Sequence, residues 1–317
     1  MKILITAPTG KIGRRIVREL LSPEFSVRVI VRDPARLATE IREQVEVISG
    51  SLDDAATLRR ALDGVESLFW CVPAESLSET KVEQHYERFA YAAWQAIREA
   101  RTPRVVTISA GGKGRARRAG PISGLHAMEE ILNESAAAIC HLRCGLLMEN
   151  LLSQMQGILE HGFLSYPIPG HIPVPFAAAS DIADAALRRL VRKDWKSIEA
   201  IAIHGPEDLT HSQVAALIER VLQRPVQYRR ASTQQYTEKL VQKGASVEYA
   251  RAQVAMFSEL AGGIMRAEPR TPESTTRTAF AAWAESELRP LVQSHSSEAR
   301  TTVASFDSEL GRACVAA

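Results

Sequence analysis

One segment near the start of the chain, Thr6-Ala7-Pro8-Thr9-Gly10-Lys11-Ile12-Gly13-Arg14-Arg15, limits the fold more than any other. It follows the apolar run Ile3-Leu4-Ile5 and leads into an amphipathic stretch. The spacing is that of G-x-x-G-x-x-G with alanine in the first place, and each place has a physical task. A tight turn after a strand needs a small first residue. Gly10 lets backbone approach a diphosphate, and Gly13 lets the following helix pack close to the sheet. The helix start then offers unpaired N–H groups to the phosphates. Ala7 brings a Cβ into the turn, so the pattern predicts a negative φ there. Strand, glycine turn and helix in this order point to a dinucleotide-binding unit.

The rest of the first half repeats the alternation. Apolar runs at 2–7, 26–32, 44–49, 66–72, 104–109 and 138–144 read as strands. Amphipathic stretches at 11–22, 54–62, 80–100 and 124–134 read as helices. Repeated βα units require a parallel sheet with helices on both faces. The predicted fold is α/β, a doubly wound parallel Rossmann sheet with a smaller C-terminal substrate lobe. Residues 1–150 form the dinucleotide-binding domain, to which a strand near 199–204 is free to return. Residues 151–293 form the lobe and 294–317 a flexible tail poor in pattern. Within the lobe, 147–161 reads as a helix, and Tyr166-Pro167-Ile168-Pro169-Gly170-His171-Ile172-Pro173-Val174-Pro175 as an extended loop over the crevice. Its prolines argue against a central strand. Ser180-Asp181 and Thr210 read as caps of two further helices.

Composition narrows the partners. The 317 residues carry a net charge of +2, too little to imply nucleic acid or an anionic membrane. No apolar run approaches the roughly 20 residues of a membrane span. The opening residues do not form a signal peptide, so a cytoplasmic location is expected. Cys140 and Cys144 alternate with Leu142 on one apolar face of a strand, which predicts buried thiols rather than a metal pair. The histidines show no metal spacing.

The second strand ends in Arg32-Asp33-Pro34. An acid in the place of Arg32 would suit the ribose 2′-OH of NAD. An arginine there suits a 2′-phosphate, so NADP(H) is the preferred cofactor and NAD(H) the alternative. The competing reading pairs Arg32 with Asp33 or Glu46.

Taken together, Ala7-Pro8-Thr9-Gly10-Lys11-Ile12-Gly13, Val31-Arg32-Asp33-Pro34 and Ser49-Gly50-Ser51-Leu52-Asp53-Asp54 resemble the NmrA-like family of atypical short-chain dehydrogenase/reductases. So do Leu142-Arg143-Cys144-Gly145-Leu146-Leu147-Met148-Glu149-Asn150 and Gly205-Pro206-Glu207-Asp208-Leu209-Thr210. The resemblance spans about 1–290. It implies cofactor contacts from Ala7, Thr9, Gly10, Lys11, Ile12, Gly13 and Arg32. It sets Leu52 and Asp53 beside the adenine. Val72, Pro73, Ser109 and Ala110 fall beside ribose and nicotinamide, and Asn150 at the substrate. The family holds quinone, azo-dye and phenylpropanoid-type reductases, and also regulators that bind the dinucleotide without catalysis.

The Tyr-x-x-x-Lys pair of typical short-chain dehydrogenases is missing where it should lie. His126 takes its place in the helix after the fifth strand, with Glu130 four residues on for a partner. It is the candidate proton source. Two functions follow. One is an NADPH-dependent reductase of a small quinone-, azo- or enone-like substrate, and the other is a non-catalytic NAD(P) sensor acting through a protein partner. The basic loop Lys113-Gly114-Arg115-Ala116-Arg117-Arg118 reads as a solvated surface segment.

Overall fold

The computed structural model describes residues 1–115 and 118–298. In the first half, β1 (Lys2–Ile5), α1 (Gly13–Glu19), β2 (Ser26–Val31), α2 (Thr39–Arg42), β3 (Glu46–Ser49) and α3 (Ala55–Leu62) follow one another. Next come β4 (Ser67–Trp70), α4 (Val82–Ala100), β5 (Arg104–Ala110), α5 (Pro121–Asn133) and β6 (Ala138–Cys144). The second half runs β7 (Leu146–Leu147), α6 (Met155–His161), β8 (Phe163–Leu164), β9 (Pro173–Ala177), α7 (Ala179–Leu190) and β10 (Ile198–Ile203). It closes with β11 (Asp208–Thr210), α8 (His211–Leu222), β12 (Gln227–Tyr228), α9 (Thr233–Gln242), α10 (Val247–Ala261), α11 (Phe280–Trp283) and α12 (Arg289–Glu298).

Seven strands form one sheet in the order β10-β6-β5-β4-β1-β2-β3, and every pairing in it is parallel. The central strands are apolar at successive positions because both faces are covered. Leu4, Leu68, Trp70 and Val105 face α3, α4 and α5 in one core. Ile3, Ile5, Phe69 and Val106 face α1 and α7 in the other. This is the doubly wound α/β fold, in which ligands bind beyond the carboxyl ends of the strands. Cys140 and Cys144 lie buried in the second core.

The lobe is built on two small sheets, β11-β9-β7 and β12-β8. Here the structure corrects the reading of the proline-rich segment. Its end, Pro173-Val174-Pro175, belongs to β9, the middle strand of three. The prolines are tolerated because each half of β9 is paired on one side only. Residues 173–175 face β11, while Phe176 and Ala177 face β7. Proline has no N–H to donate, and each proline here has a strand on one side only.

Three further expectations change. The stretch 147–161 is not one helix: Met148–Gln154 is a 3₁₀ segment before α6. Two of its carbonyls are taken by side chains, Glu149 O by Lys11 Nζ at 2.9 Å and Asn150 O by Ser153 Oγ at 2.7 Å. α7 is not capped by Ser180 or Asp181. Its first amide, Ala179 N, donates to the Glu149 carboxylate at 3.1 Å, and Asp181 instead accepts from Thr278. Finally α12 carries the chain as helix to Glu298, past the expected tail start at 294. Residues 299–317 of that tail, and Ala116 and Arg117 of the basic loop, lie outside the described residues. Thr210 does cap α8, in a reciprocal capping box with Gln213.

Candidate functional site

The opening turn departs from expectation at one residue. Ala7 has φ of +47°, in the left-handed region, where a Cβ costs about 1–2 kcal/mol. Two contacts hold it there. Gly10 N donates to Ala7 O at 3.0 Å, closing the turn. Gly13 then packs on the same carbonyl so closely that a Cβ at 13 would lie 2.3 Å from Ala7 O. The first place of the motif therefore keeps its glycine conformation although alanine occupies it. The amides of Thr9, Ile12 and Gly13 take no protein acceptor among the described residues. They remain for a ligand at the mouth of β1.

The neighbouring strand ends converge on this turn. Thr6 Oγ1 bonds to both Phe69 O and Cys71 O, at 3.0 and 3.1 Å, and accepts from Cys71 N at 2.7 Å. That ties the end of β1 to the residues just past β4, ahead of Val72 and Pro73. Gly50 N donates to Val31 O at 3.0 Å, which draws Leu52 and Asp53 to the end of β2. Leu52 is buried, and Asp53 is held by Ser51 and by Arg88 at 3.2 Å. Arg32 is exposed just past β2. The rival partners are engaged elsewhere: Asp33 accepts from Ala35 N at 3.0 Å, and Glu46 pairs with Arg28 at 2.8 Å. Arg32 makes no ion pair among the described residues. Lys11, expected at the cofactor, sends its ammonium across to Glu149 O.

Two buried histidines fix carbonyls in the segment after β4 and at the end of β5. His85 Nε2, on α4, lies 2.9 Å from Pro73 O. His126 Nε2, on α5, lies 2.9 Å from Ala110 O. A carbonyl only accepts, so each Nε2 carries the proton. Burial lowers both rings below the ordinary histidine range and keeps them neutral. His126 does not pair with Glu130, whose carboxylate lies 2.6 Å from Lys113 Nζ on the surface. His126 is buried with its ring committed to Ala110 O, while Glu130 is exposed with its carboxylate committed to Lys113. Ser109 lies buried beside Glu129, whose carboxylate takes Arg143 at 2.7 and 3.1 Å.

The lobe adds a narrow cleft with about 30 Å³ of free space. Ala110 and Cys144 are paired across β5 and β6, so Leu146 and Leu147 begin the cleft wall two residues beyond the sheet edge. Asn150, Tyr166, Phe176 and Phe257 continue it. His211, the first residue of α8, completes the wall. Its ring lies 5.5 Å from that of Tyr166 and 5.8 Å from that of Phe176, and burial pushes it down to about 4.

Sequence reasoning missed Thr6, His85, Glu149 as a cap, and His211. Only Thr6 was within local reach, as a hydroxyl at the end of the first strand. The others act on partners that the sequence does not bring near. His161 and His171, flanking the proline-rich segment, are exposed.

The NmrA-like family model matches residues 1–262. An NAD(P)H azoreductase of Xenophilus azovorans is 26% identical over 87% of this chain and 94% of its own length. Quinone oxidoreductase 2 of Escherichia coli is 24% identical over 76% of this chain and 82% of its own. Among solved structures, the NADPH-dependent quinone oxidoreductase of Escherichia coli complexed with NADPH superposes with a TM-score of 0.75 at 23% identity. It covers 91% of this chain and 99% of that one. The Citrobacter triphenylmethane reductase complexed with NADP(H) gives 0.73 at 18%, covering 88% and 98%. At such identities the structural likeness speaks for the fold.

Proposed function

The chain belongs to the NmrA-like family, and from that premise we propose that it is an NADPH-dependent reductase of a small quinone-, azo- or enone-like acceptor. The observation that carries the reading is the opening turn, bent into a glycine conformation at Ala7 so that three amides stay available. Thr9, Gly10, Ile12 and Gly13 would hold the diphosphate, with Ala7 shaping the turn. Lys11 would brace the site through Glu149. The unpaired Arg32 would take the 2′-phosphate, with Leu52 and Asp53 bordering the adenine. Val72, Pro73, Ser109 and Ala110 would border the nicotinamide end. Bound NADPH would supply hydride chemistry, and the chain itself positions, orients and excludes water. His126 is assigned a positioning role: its Nε2 proton is committed to Ala110 O, which fixes the end of β5. Asn150, at the cleft wall, would meet the acceptor. The lining is dominated by apolar and aromatic residues, which suits a flat organic molecule.

The azoreductase and quinone reductase relatives support this reading by their names and by their length match. The test is NADPH consumption with a panel of quinones, azo dyes and enones, beside dissociation constants for NADPH and NADH. Turnover with at least one class, and tighter NADPH, is expected. Tight NADPH binding with no consumption across the panel would turn the assignment to a cofactor sensor.

A further inference from the structure

One carboxylate of the lobe reaches into the sheet domain just past β5. Glu268 follows the 3₁₀ turn Ile264–Ala267, which comes directly after α10. Its Oε2 accepts from Gly112 N at 2.7 Å, across 156 positions of the chain. Its Oε1 lies 3.4 Å from Arg143 Nη1 of β6, and Arg143 is itself held by Glu129. Only 14% of the Glu268 side chain is exposed. Gly111 and Gly112 are buried, and the lobe meets them as bare backbone. A Cβ on Gly111 would lie 2.9 Å from Met265 Sδ, and one on Gly112 3.3 Å from Ile264. From the sheet side, His126 holds Ala110 O and Cys144 O holds Gly111 N. Glu268 adds a hold from the lobe, and α10 carries it to the cleft, where Met256 and Phe257 form part of the wall. The carboxylate thus joins that wall to the strand end that would border the nicotinamide.

We propose that Glu268 is a positioning residue of the reductase, which sets the lobe against the end of β5 and so fixes how an acceptor lies over the nicotinamide. The inference rests on the reductase reading and adds to it the group that keeps the two halves in register. Hydride transfer needs donor and acceptor in close, aligned contact, and a misplacement of about 1 Å costs on the order of a hundredfold in rate. An ionised carboxylate suits the task, because a charged acceptor strengthens its bond to a backbone N–H. The opening turn after β1 and Arg32 past β2 lie on other strands. Cofactor affinity should therefore depend little on Glu268.

Two substitutions in the full chain test this. Glu268→Ala leaves the buried Gly112 N–H without its acceptor. Glu268→Gln keeps an amide oxygen for it and gives up the charge, while Arg143 retains Glu129. The first readout needs no substrate: amide hydrogen exchange at Gly112, followed by NMR on glycine-labelled protein. Glu268→Ala should speed it by roughly tenfold or more, the size of a hydrogen bond to a charged group, and Glu268→Gln by clearly less. Exchange at Gly50, bonded to Val31 O beside the opposite edge of the sheet, should not change and reports that the fold is intact. The second readout is steady-state NADPH oxidation with the quinone, azo dye or enone that the wild type turns over best, beside the NADPH dissociation constant. In Glu268→Ala kcat should fall by about tenfold or more while the dissociation constant stays within about twofold. In Glu268→Gln most of kcat should return. A merely structural role would lower kcat and NADPH affinity together and show no rescue by glutamine, and that result overturns the proposal. So does unchanged exchange at Gly112 in Glu268→Ala, or an unchanged kcat. Failure of the wild type to consume NADPH removes the reductase reading and this role with it. An active wild type matched by an equally active Glu268→Ala removes only the role of Glu268.

Discussion

Ala7 and Arg32 carry the clearest residue-level expectations. Ala7 occupies a backbone conformation that glycine adopts freely. Replacing it with glycine removes the Cβ clash but gives the unfolded chain more freedom. The net gain should be about 0.5 kcal/mol in urea unfolding, since strain relief slightly exceeds the entropy cost. Ala7→Val should lose stability, because a branched side chain is excluded from that region far more strongly. Equal stability of the three proteins would show that the turn does not hold Ala7 where the structure has it. Arg32 is exposed and makes no ion pair among the described residues. Arg32→Ala should weaken NADPH by roughly tenfold or more, the value of a charge-assisted contact, and leave NADH within about twofold. Parallel titrations of both nucleotides check this, and a matching loss for NADH would remove the arginine from the 2′-phosphate.

At the scale of elements, two joints depend on groups from different segments. The first is β1, its turn and α1. Gly13 touches the Ala7 carbonyl with no room for a methyl group. Gly13→Ala should cost about 1–3 kcal/mol through overpacking and displace the amides that face the ligand. Both unfolding midpoint and NADPH affinity should fall. The second joint is the start of α7. Glu149 accepts from Ala179 N and from Trp283 Nε1 at 3.1 Å. The carboxylate thus ends one helix and anchors another. Glu149→Leu strips both donors of their acceptor and should destabilise the fold by about 2 kcal/mol or more. Glu149→Gln keeps one acceptor oxygen and should cost clearly less. If the two substitutions prove equal in denaturant unfolding, the carboxylate is not the cap.

Over the whole molecule, the buried histidines set the acid response. Burial pushes His141 and His211 each down to about 4, and lowers His85, His126 and His204 as well. In the unfolded chain these rings protonate near the ordinary value of about 6.5. Between 6.5 and about 4 the unfolded state binds more protons, so stability falls as the pH falls. By pH 5 each of the two deepest rings should remove roughly 2 kcal/mol. Glu75 opposes them. Burial raises it to about 7, so in the same window the folded state takes up its proton and gains stability. Glu149, raised in the same way, acts with Glu75. Five lowered histidines outweigh the three raised carboxyls, Glu75, Glu83 and Glu149, and urea midpoints should drop from pH 7 to pH 5. His211→Phe should flatten that slope. A midpoint unchanged across this range in the wild type would mean that the rings are solvated when folded.

The chain's own letters determined the parallel sheet, the opening glycine turn, the arginine after β2 and the burial of Cys140 and Cys144. These depend on patterns a few residues long, in which a neighbour's chemistry decides the local backbone. Tertiary structure decided the rest. The helix end at α7 is capped from 30 positions away by Glu149. The prolines of β9 enter a central strand because its two partners divide its length. His126 and Glu130, neighbours by helical spacing, part to the core and the surface. His211 becomes a cleft residue only when α8, β9 and α10 close around it. Each of these joins groups far apart along the chain, where no local periodicity carries information and only packing brings them into contact.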